Sequence, residues 1–390
     1  MRRLVAALFF LSVAASACSS PGAAPLEIGA IYPLSGPQAP GGREELGGLR
    51  AALKVAQDTG VLKRPVHIHV VDVETPDAAA AAVDQLIDRD HVALVTGTYG
   101  STLSAAAAAR ADQRHTVYWE TGAVADAVTQ GHSWVFQVVA SGAMLGRIAV
   151  EFTGRQFGRP RATAAILQVD DVYGDSVAGA EADAARVAGI QVVARIKYDP
   201  LGYTPAAIAG QLAAVNPDFL WDVSYIDDGI AIWRALKARG ESFVAAVGTS
   251  SAFCMAAFGD SLGAQAIGVF AADKPDGTIK PDVLSPSARD LLARATKAYG
   301  GELTIPAVAG FVGGWTLFHD VLRGVRDAGS SSIREAALRV DVPLGGEING
   351  GGVRFVAGQN VRAAAVVGQW QASGVMRTVY PAGYATARPI

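Results

Sequence analysis

Short apolar runs alternate with longer alanine-rich segments through the first part of the chain. These runs are apolar throughout, which is typical of parallel strands that are buried on both faces. The segments between them have helical spacing and end at turn residues such as Gly60. The pattern predicts a parallel sheet covered by helices on both faces. The predicted strands are 26–32, 66–73, 92–96 and 116–119, and the predicted helices are 44–59, 76–89 and 103–113.

The same alternation restarts at Ala162. Two successive α/β units predict two similar lobes that face each other, each with loops at the carboxyl ends of its strands. The second unit has predicted strands at 162–169, 191–198, 219–223 and 243–247, and predicted helices at 176–188, 204–215 and 228–239. The last predicted helices are 285–299, 307–328 and 332–340, and the last predicted strands are 352–355 and 363–370.

The first eighteen residues have the pattern of a secretory signal. Two arginines precede a short apolar run at 4–13, and small residues then lead to Cys18. This arrangement predicts a signal peptide over residues 1–17, which is too short to span a bilayer. Bacterial lipoproteins place a lipidated cysteine directly after the small residues, so we predict a lipid anchor at Cys18 and a linker over 18–25. The alternative is an ordinary signal peptide that happens to contain this cysteine.

Composition limits the classes of partner. The 390 residues carry a formal net charge of −3, and 51% of them are hydrophobic. The near-neutral charge gives no reason to expect a nucleic acid as a partner, and the apolar content suffices for two cores. Cys254 is the only cysteine besides Cys18. If Cys18 is lipidated, Cys254 has no intramolecular partner and is predicted to be a small buried residue.

Several short phrases occur in a recognisable order along the chain. They are Ile-Tyr-Pro-Leu-Ser-Gly at 31–36, Gly-Thr-Tyr-Gly-Ser-Thr at 97–102, Tyr-Gly at 173–174, Asn-Pro-Asp at 216–218, and Gly-Gln-Asn at 358–360 followed by Tyr-Pro at 380–381. In these phrases the chain resembles the leucine/isoleucine/valine-binding family of periplasmic solute receptors. Members of that family are the substrate-binding subunits of ATP-driven importers.

The resemblance implies a fold of two Rossmann-like lobes joined by three hinge crossovers, the type I periplasmic binding protein fold. A ligand would be clamped between the lobes, with no catalysis and no cofactor. By the family pattern, residues 26–139 and 270–344 form the N-terminal lobe. Residues 140–269 and 345–390 form the C-terminal lobe.

Loops at the carboxyl ends of strands are the expected place for a ligand in such sheets. In the loop 97–102, glycines, two hydroxyls and the start of a helix suit an anion, although Ser101 or Thr102 could simply cap the helix. Glu120 is either a contact for a cationic ligand group or a solvated carboxylate. The candidate ligand-binding residues of the first lobe are Ser35, Gly36, Tyr99, Ser101, Thr102, Thr121, Gly122 and Ala123.

The second lobe offers Tyr173, Tyr225, Asp227 and Ser250 as candidate ligand-binding residues. A tyrosine covers an apolar ligand face while its hydroxyl bonds a polar group. Asp227 or the neighbouring Asp228 could pair with an ammonium, although Asp228 could equally cap the next helix. Amino-acid-binding relatives often carry an aromatic residue where this chain has Gly41, and a carboxylate where it has Ser250. These departures favour a ligand with a carboxylate or amide and a less charged body, while leaving amine recognition by Asp227 or Glu120 open.

No catalytic constellation is visible in the sequence. There is no Gly-x-Ser-x-Gly elbow, and His67 and His69 share one side of a predicted strand without a third metal ligand. We therefore expect an extracytoplasmic lipoprotein, anchored to a bacterial membrane, that closes around a small molecule and delivers it to the permease subunits of an ABC importer. The alternatives are a ligand sensor on the same fold without transport, and a hydrolase.

Overall fold

The computed structural model describes residues 24–390 apart from residues 277, 326 and 328. The predicted signal peptide and Cys18 lie outside the described residues. Strands β1 to β14 follow one another along the described chain. They are Leu26–Tyr32, Val66–Asp72, Leu94–Gly97, Val117–Glu120, Val135–Gln137, Thr163–Val169, Gln191–Tyr198, Phe219–Val223, Ala245–Thr249, Phe270–Asp273, Phe355–Val356, Gln359–Asn360, Val366–Ala372 and Val375–Tyr380.

Helices α1 to α11 cover the sheets. Thr75, Asp171, Ser285 and Thr304 each precede a helix and accept the backbone N–H three residues further on, which satisfies one of its free donors. The helices are Ala39–Asp58, Pro76–Asp88, Ser101–Gln113, Gly142–Phe157, Val172–Ala188, Pro205–Val215, Ile226–Ala238, Ala256–Leu262, Pro286–Tyr299, Ile305–Trp315 and Ser330–Ala337.

The strands form two seven-stranded sheets, each the centre of one lobe. The first sheet has the order β11-β12-β5-β4-β3-β1-β2, and the second has the order β14-β13-β10-β9-β8-β6-β7. Neighbours from β2 to β12 in the first sheet and from β7 to β10 in the second are parallel. The pairs at the other edges are antiparallel. Two α/β lobes are therefore confirmed.

In the described part of the chain, the connections between the lobes are the segments from β5 to α4, from β10 to α9, and from β12 to β13. The first lies near residue 140, as expected. The other two expected boundaries are corrected by strand pairing. Residues 270–273 pair with β9 in the second sheet, and residues 355–360 belong to the first sheet, so the crossings come after 273 and after 360 rather than at 270 and 345.

Asp126 joins two of these connections. Its Oδ2 accepts the N–H of Ala143 at 3.0 Å and the hydroxyl of Ser176 at 2.6 Å, and its Oδ1 accepts the side-chain amide of Gln359 at 2.9 Å. Ala143 lies in the first turn of α4, just after the first crossover, and Gln359 lies in β12, just before the third. One carboxylate of the first lobe therefore holds both crossovers and contacts helix α5 of the second lobe.

The core of the first lobe depends on a close crossing of α1 and α10. A Cβ at Gly48 would lie 2.0 Å from the carbonyl oxygen of Ala307, and a Cβ at Gly310 would lie 2.0 Å from that of Glu45, so both positions require glycine. The stretch Ile305–Gly324 is long and apolar enough to cross a membrane, but 83% of it is buried inside the protein. It is a core helix, which passes after Trp315 into a π-helical turn.

Candidate ligand-binding cleft

A cavity of about 610 Å³ opens between the loops of the two lobes, at the carboxyl ends of their parallel strands. Its volume is within the usual range for small-molecule sites. Among the residues that line it are Ser35, Gln38, Glu74, Tyr99 and Thr102 of the first lobe, and Asp171, Tyr203, Tyr225, Asp227, Asp228 and Ser251 of the second. Of the predicted site residues, Ser35, Tyr99, Thr102, Tyr225 and Asp227 thus share one cavity; their role in binding stays a prediction.

Asp171 brings the two lobes together beside this cavity. Its carboxylate accepts the hydroxyl of Thr102 from the first lobe, with 3.2 Å between the oxygens, and the hydroxyl of Tyr225 from its own lobe. Its other oxygen accepts the N–H of Gly174 at 2.9 Å and caps α5. The Thr102 hydroxyl, expected to bind a ligand anion, therefore already donates to a carboxylate of the protein.

Glu120 organises the loops that follow β3 and β4. Its carboxylate is fully buried and accepts the backbone N–H groups of Thr98 at 3.1 Å and of Gly122 and Ala123 at 2.6 Å each, together with the hydroxyl of Ser104. Burial raises its pKa to about 7, against the opposing effect of these donors. Glu120 is thus neither a ligand contact nor a solvated carboxylate, and both sequence interpretations of it are wrong.

Thr121 faces the interior of the first lobe. It is fully buried, its hydroxyl lies 2.9 Å from that of Tyr32, and it donates to Glu45. Burial and the neighbouring Glu120 raise the pKa of Glu45. Thr121, Gly122 and Ala123, which we expected to present polar groups to the cleft, do not line the main cavity.

Ser101 serves its own lobe in the same way. Its hydroxyl oxygen accepts the N–H groups of Val124 at 3.3 Å and of Ala125 at 3.2 Å, and the residue is buried away from the main cavity. The structure thus does not bring Ser101 to the cleft, and it serves neither as a helix cap nor as an exposed donor. The Ser101 hydroxyl instead fixes the loop after β4 through these two hydrogen bonds.

The turn after β1 carries Ser35 and Gly36. Ser35 lines the cavity, and its hydroxyl lies between the carboxylates of Asp72 and Glu74, 2.6 Å from the latter. This hydroxyl holds the pKa of Asp72 below its usual range. Gly36 has a φ of +72° and lies beside Glu74, outside the lining of the cavity. The hydroxyl of Ser35 therefore faces acceptors of the protein.

Tyr99 covers Gly41, the position where relatives often carry an aromatic residue. A Cβ at Gly41 would lie 2.2 Å from the Tyr99 ring, so the ring rests directly on the glycine. Burial raises the pKa of the Tyr99 hydroxyl well above its ordinary value. The aromatic wall of the cleft, absent from the sequence at position 41, is supplied from position 99.

This packing gives a test of the Gly41 contact. Gly41→Ala should lower the free energy of unfolding by about 1–3 kcal/mol, because the added methyl group overlaps the Tyr99 ring. Gly301→Ala is the control, since a Cβ there meets nothing within 4 Å. Urea unfolding of Gly41→Ala, Tyr99→Ala and the double variant measures the coupling. If the double variant loses as much free energy of unfolding as the two single variants together, the contact between Gly41 and Tyr99 is contradicted.

Tyr173, Tyr225 and Ser250 are placed differently from one another in the second lobe. Tyr173 is buried and donates its hydroxyl to the carbonyl oxygen of Thr249, while its ring lies 5.5 Å from that of Tyr225. It therefore supports Tyr225 from behind and does not line the cavity. Ser250 is also buried off the main cavity, and its neighbour Ser251 lines the cavity instead.

Sequence reasoning missed several lining residues, namely Gln38, Glu74, Asp171, Tyr203 and Ser251. Asp171 and Glu74 each lie just past the end of a strand, which is the signal that would have found them. Gln38 precedes α1, whose start was placed too late. The two histidines singled out in the sequence, His67 and His69, both contact Glu27. Cys254 is buried and free, as predicted.

Two lobes, a cleft at their strand ends and three crossovers agree with the resemblance seen in the sequence. The sequence profile of the family described as periplasmic binding protein matches residues 25–374. The chain belongs to this family, in its leucine/isoleucine/valine-binding branch. Members of this family are extracytoplasmic solute-binding proteins rather than enzymes.

Three proteins illustrate what this periplasmic binding protein is similar to. The Leu/Ile/Val-binding protein homolog 8 of Brucella abortus (strain 2308) is 27% identical over 376 residues, 94% of this chain and 93% of the relative. The leucine binding protein LivK of Thermotoga maritima has a TM-score of 0.80 at 18% identity, covering 90% of this chain and 97% of its own. LivJ of Streptococcus pneumoniae, solved with isoleucine, has a TM-score of 0.77 at 18% identity, covering 92% and 100%.

Proposed function

We propose that this protein captures a small solute outside the cytoplasm and delivers it to an ABC importer in the same membrane. The observation that carries the proposal is the cavity between two separately folded lobes, lined from both sides. A solute that contacts Tyr99 and Ser35 on one wall and Tyr225 and Asp227 on the other completes these contacts only when the lobes close. Binding then shifts the population toward the closed form, whose shape the permease subunits read.

The proposal includes a lipid anchor at Cys18, exposed after removal of residues 1–17. The signal-like pattern of the sequence supports it. The chain would then be tethered through residues 18–25 and would reach a permease in the same membrane by diffusion in two dimensions. It would act without catalysis and without a cofactor.

The range of solutes to screen follows from the relatives and from the sequence. The names of the relatives put leucine, isoleucine and valine in the screen. The positions where this chain departs from amino-acid-binding relatives, Gly41 and Ser250, put aromatic or aliphatic acids and amides in it as well. The carboxylates that line the cleft narrow this range of solutes further. Whatever the solute, capture requires both lobes to contact it.

Ligand binding and closure of the lobes can be measured together on this protein. A true ligand at 100 times its dissociation constant should stabilise the protein by about 2.7 kcal/mol, which a thermal-shift screen detects. Fluorescent labels at Asp58→Cys on α1 and Asp183→Cys on α5 report the separation of the lobes, since Cys254 is buried. Stabilisation together with a shorter distance supports the proposal. Stabilisation without closure, or turnover of the bound compound, would refute it.

A further inference from the structure

The protein's own carboxylates use the donors that a carboxylate ligand would need. Glu120 binds the N–H groups of Thr98, Gly122 and Ala123, at the loops where the strand ends meet the cleft. Asp171 accepts the hydroxyl of Thr102, as described above. A ligand carboxylate entering the cleft would find these donors already engaged by the protein's own carboxylates.

The charge of the cavity wall points in the same direction. Four carboxylates line it, Glu74 from the first lobe and Asp171, Asp227 and Asp228 from the second, and no lysine, arginine or histidine is among the described lining residues. Burial raises the pKa of Asp228, but Glu74 and Asp227 are exposed to solvent in the cleft. Like charges at short range repel, so this wall opposes an anion and attracts a cation.

Two acceptors of the wall lack a donor among the described residues. The side-chain oxygen of Gln38 is buried and accepts no hydrogen bond there. The carboxylate of Asp227, in the first turn of α7, forms neither a hydrogen bond nor an ion pair with the described chain. A buried acceptor without a partner is unfavourable, and a ligand with N–H groups would satisfy it.

From these observations we infer that the solute of this cleft is an organic cation, an amine or a related N–H-rich group on an apolar body, without a carboxylate. The inference rests on the proposed function and specifies its ligand. Asp227 and Glu74, on opposite walls, bind the cationic end. The rings of Tyr99, Tyr203 and Tyr225 cover the hydrocarbon and attract positive charge at their faces.

Matched compounds that differ only in charge test this inference. The cations are 3-methylbutylamine, 2-phenylethylamine and agmatine; the acids are 4-methylpentanoate and 3-phenylpropionate; the zwitterions are leucine, phenylalanine and arginine. In calorimetric titrations we expect at least one amine to bind ten-fold more tightly than the zwitterion with the same body and, for 3-methylbutylamine and 2-phenylethylamine, than the matched acid. An acid or zwitterion that binds as tightly as its amine overturns the inference, as does failure of all three cations to bind.

These outcomes separate the inference from the function on which it rests. Closure of the labelled lobes around leucine or an acid leaves the solute-binding function standing and overturns the cationic class. Absence of closure with every compound that stabilises the protein overturns the function itself.

Variants of the lining carboxylates identify the charge that favours amines over acids. Asp227→Asn should weaken amine binding about ten-fold and leave acid binding unchanged or tighter. Asp183→Asn is the matched control, because Asp183 is an exposed carboxylate of the same lobe outside this cavity. Unfolding midpoints of both variants verify that they fold. Equal loss in both variants, or unchanged amine affinity in Asp227→Asn and Glu74→Gln alike, contradicts the assignment.

Discussion

Replacing Glu120 with alanine is expected to lower the free energy of unfolding by about 3–5 kcal/mol, one of the two largest effects in the protein. The substitution leaves the buried N–H groups of Thr98 and Gly122 without an acceptor, while the N–H of Ala123 keeps only the carbonyl oxygen of Thr98. It also removes one of the two partners of the Ser104 hydroxyl, the other being the hydroxyl of Tyr118, and opens a void beneath the cleft loops. Urea unfolding followed by circular dichroism gives the free energy directly.

Two further variants sharpen this test. Glu120→Gln should lower the free energy of unfolding by less than Glu120→Ala, because the amide oxygen can still accept the N–H groups of Gly122 and Ala123. Some loss remains, because the NH₂ group of the glutamine faces the N–H of Thr98, which is also a donor. Glu335→Ala, on the exposed side of α11, should stay within about 0.5 kcal/mol of the parent. A loss for Glu120→Ala no greater than that of Glu335→Ala would show that the loops are held by other contacts.

The second large effect is a fall in stability as the pH rises from about 5 to 8. Burial raises the pKa of Asp222 to about 7 and that of Glu347 to about 8, and it also raises that of Glu181. Each of these groups has one carboxyl oxygen without a hydrogen-bond partner among the described residues, as a neutral acid would. The folded protein thus holds protons that the unfolded chain has already released.

Unfolding in this window therefore releases protons, and stability declines with pH. The contributions of Asp222 and Glu347 are fully present below their unfolded pKa near 4 and are lost as the pH rises through their folded pKa values of about 7 and about 8. Between these limits the slope is about 1.4 kcal/mol per pH unit for each group. Urea midpoints measured from pH 5 to pH 8 should fall steadily, and a midpoint that rises over this range would contradict the assignment.

Glu347→Gln isolates one of these groups. At pH 7.5 it should raise the free energy of unfolding by about 2–4 kcal/mol, because the unfolded state loses the advantage of an ionised carboxylate. The glutamine can still accept the hydroxyl of Thr316. Near pH 5 the gain should be small, so the pH slope becomes shallower. Glu335→Gln, an exposed counterpart, should leave the slope as it is.

The βα alternation and several strand bounds could be predicted from the sequence. Strands β1, β7 and β8 have the predicted limits, because each is a run of strand-forming residues with a turn at its end. The starts of two helices were placed too late, at 44 rather than Ala39 and at 176 rather than Val172. In both, a proline or glycine in the first turn was interpreted as part of a loop, although a first turn tolerates these residues.

The pairing of strands that are distant in the sequence could not be predicted from the local pattern of residues. Strands β10, β11 and β12 are only two to four residues long, and their sheet is decided by the neighbour with which they pair. Such short lengths carry little periodicity, so β5 and β10 had no predicted counterpart; the six-residue β14 was also missed. The positions of two crossovers were taken from the family pattern, and the pairing of these short strands corrects them.

The cleft could be located from the strand ends, but the direction of its polar groups could not. Ser101 and Thr121 lie in the predicted loops, yet their hydroxyls bond within the first lobe. The same residue types bond equally well to a ligand or to nearby backbone, and sequence does not distinguish the two. The partners of these hydroxyls, the N–H groups of Val124 and Ala125 for Ser101 and the carboxylate of Glu45 for Thr121, are brought to them only by the folded loops.

Asp126 separates two properties that a receptor must tune. Its carboxylate holds two crossovers and contacts no residue assigned to the ligand. Under the proposed closure of the lobes, it would act on the balance between open and closed forms and not on the ligand contacts. The apparent dissociation constant of any ligand is its intrinsic value divided by the fraction of protein competent to bind. Changes at the pivot therefore scale the affinity for all solutes by one common factor, while changes in the cleft alter their ranking. Sensitivity and selectivity can thus evolve independently in this protein.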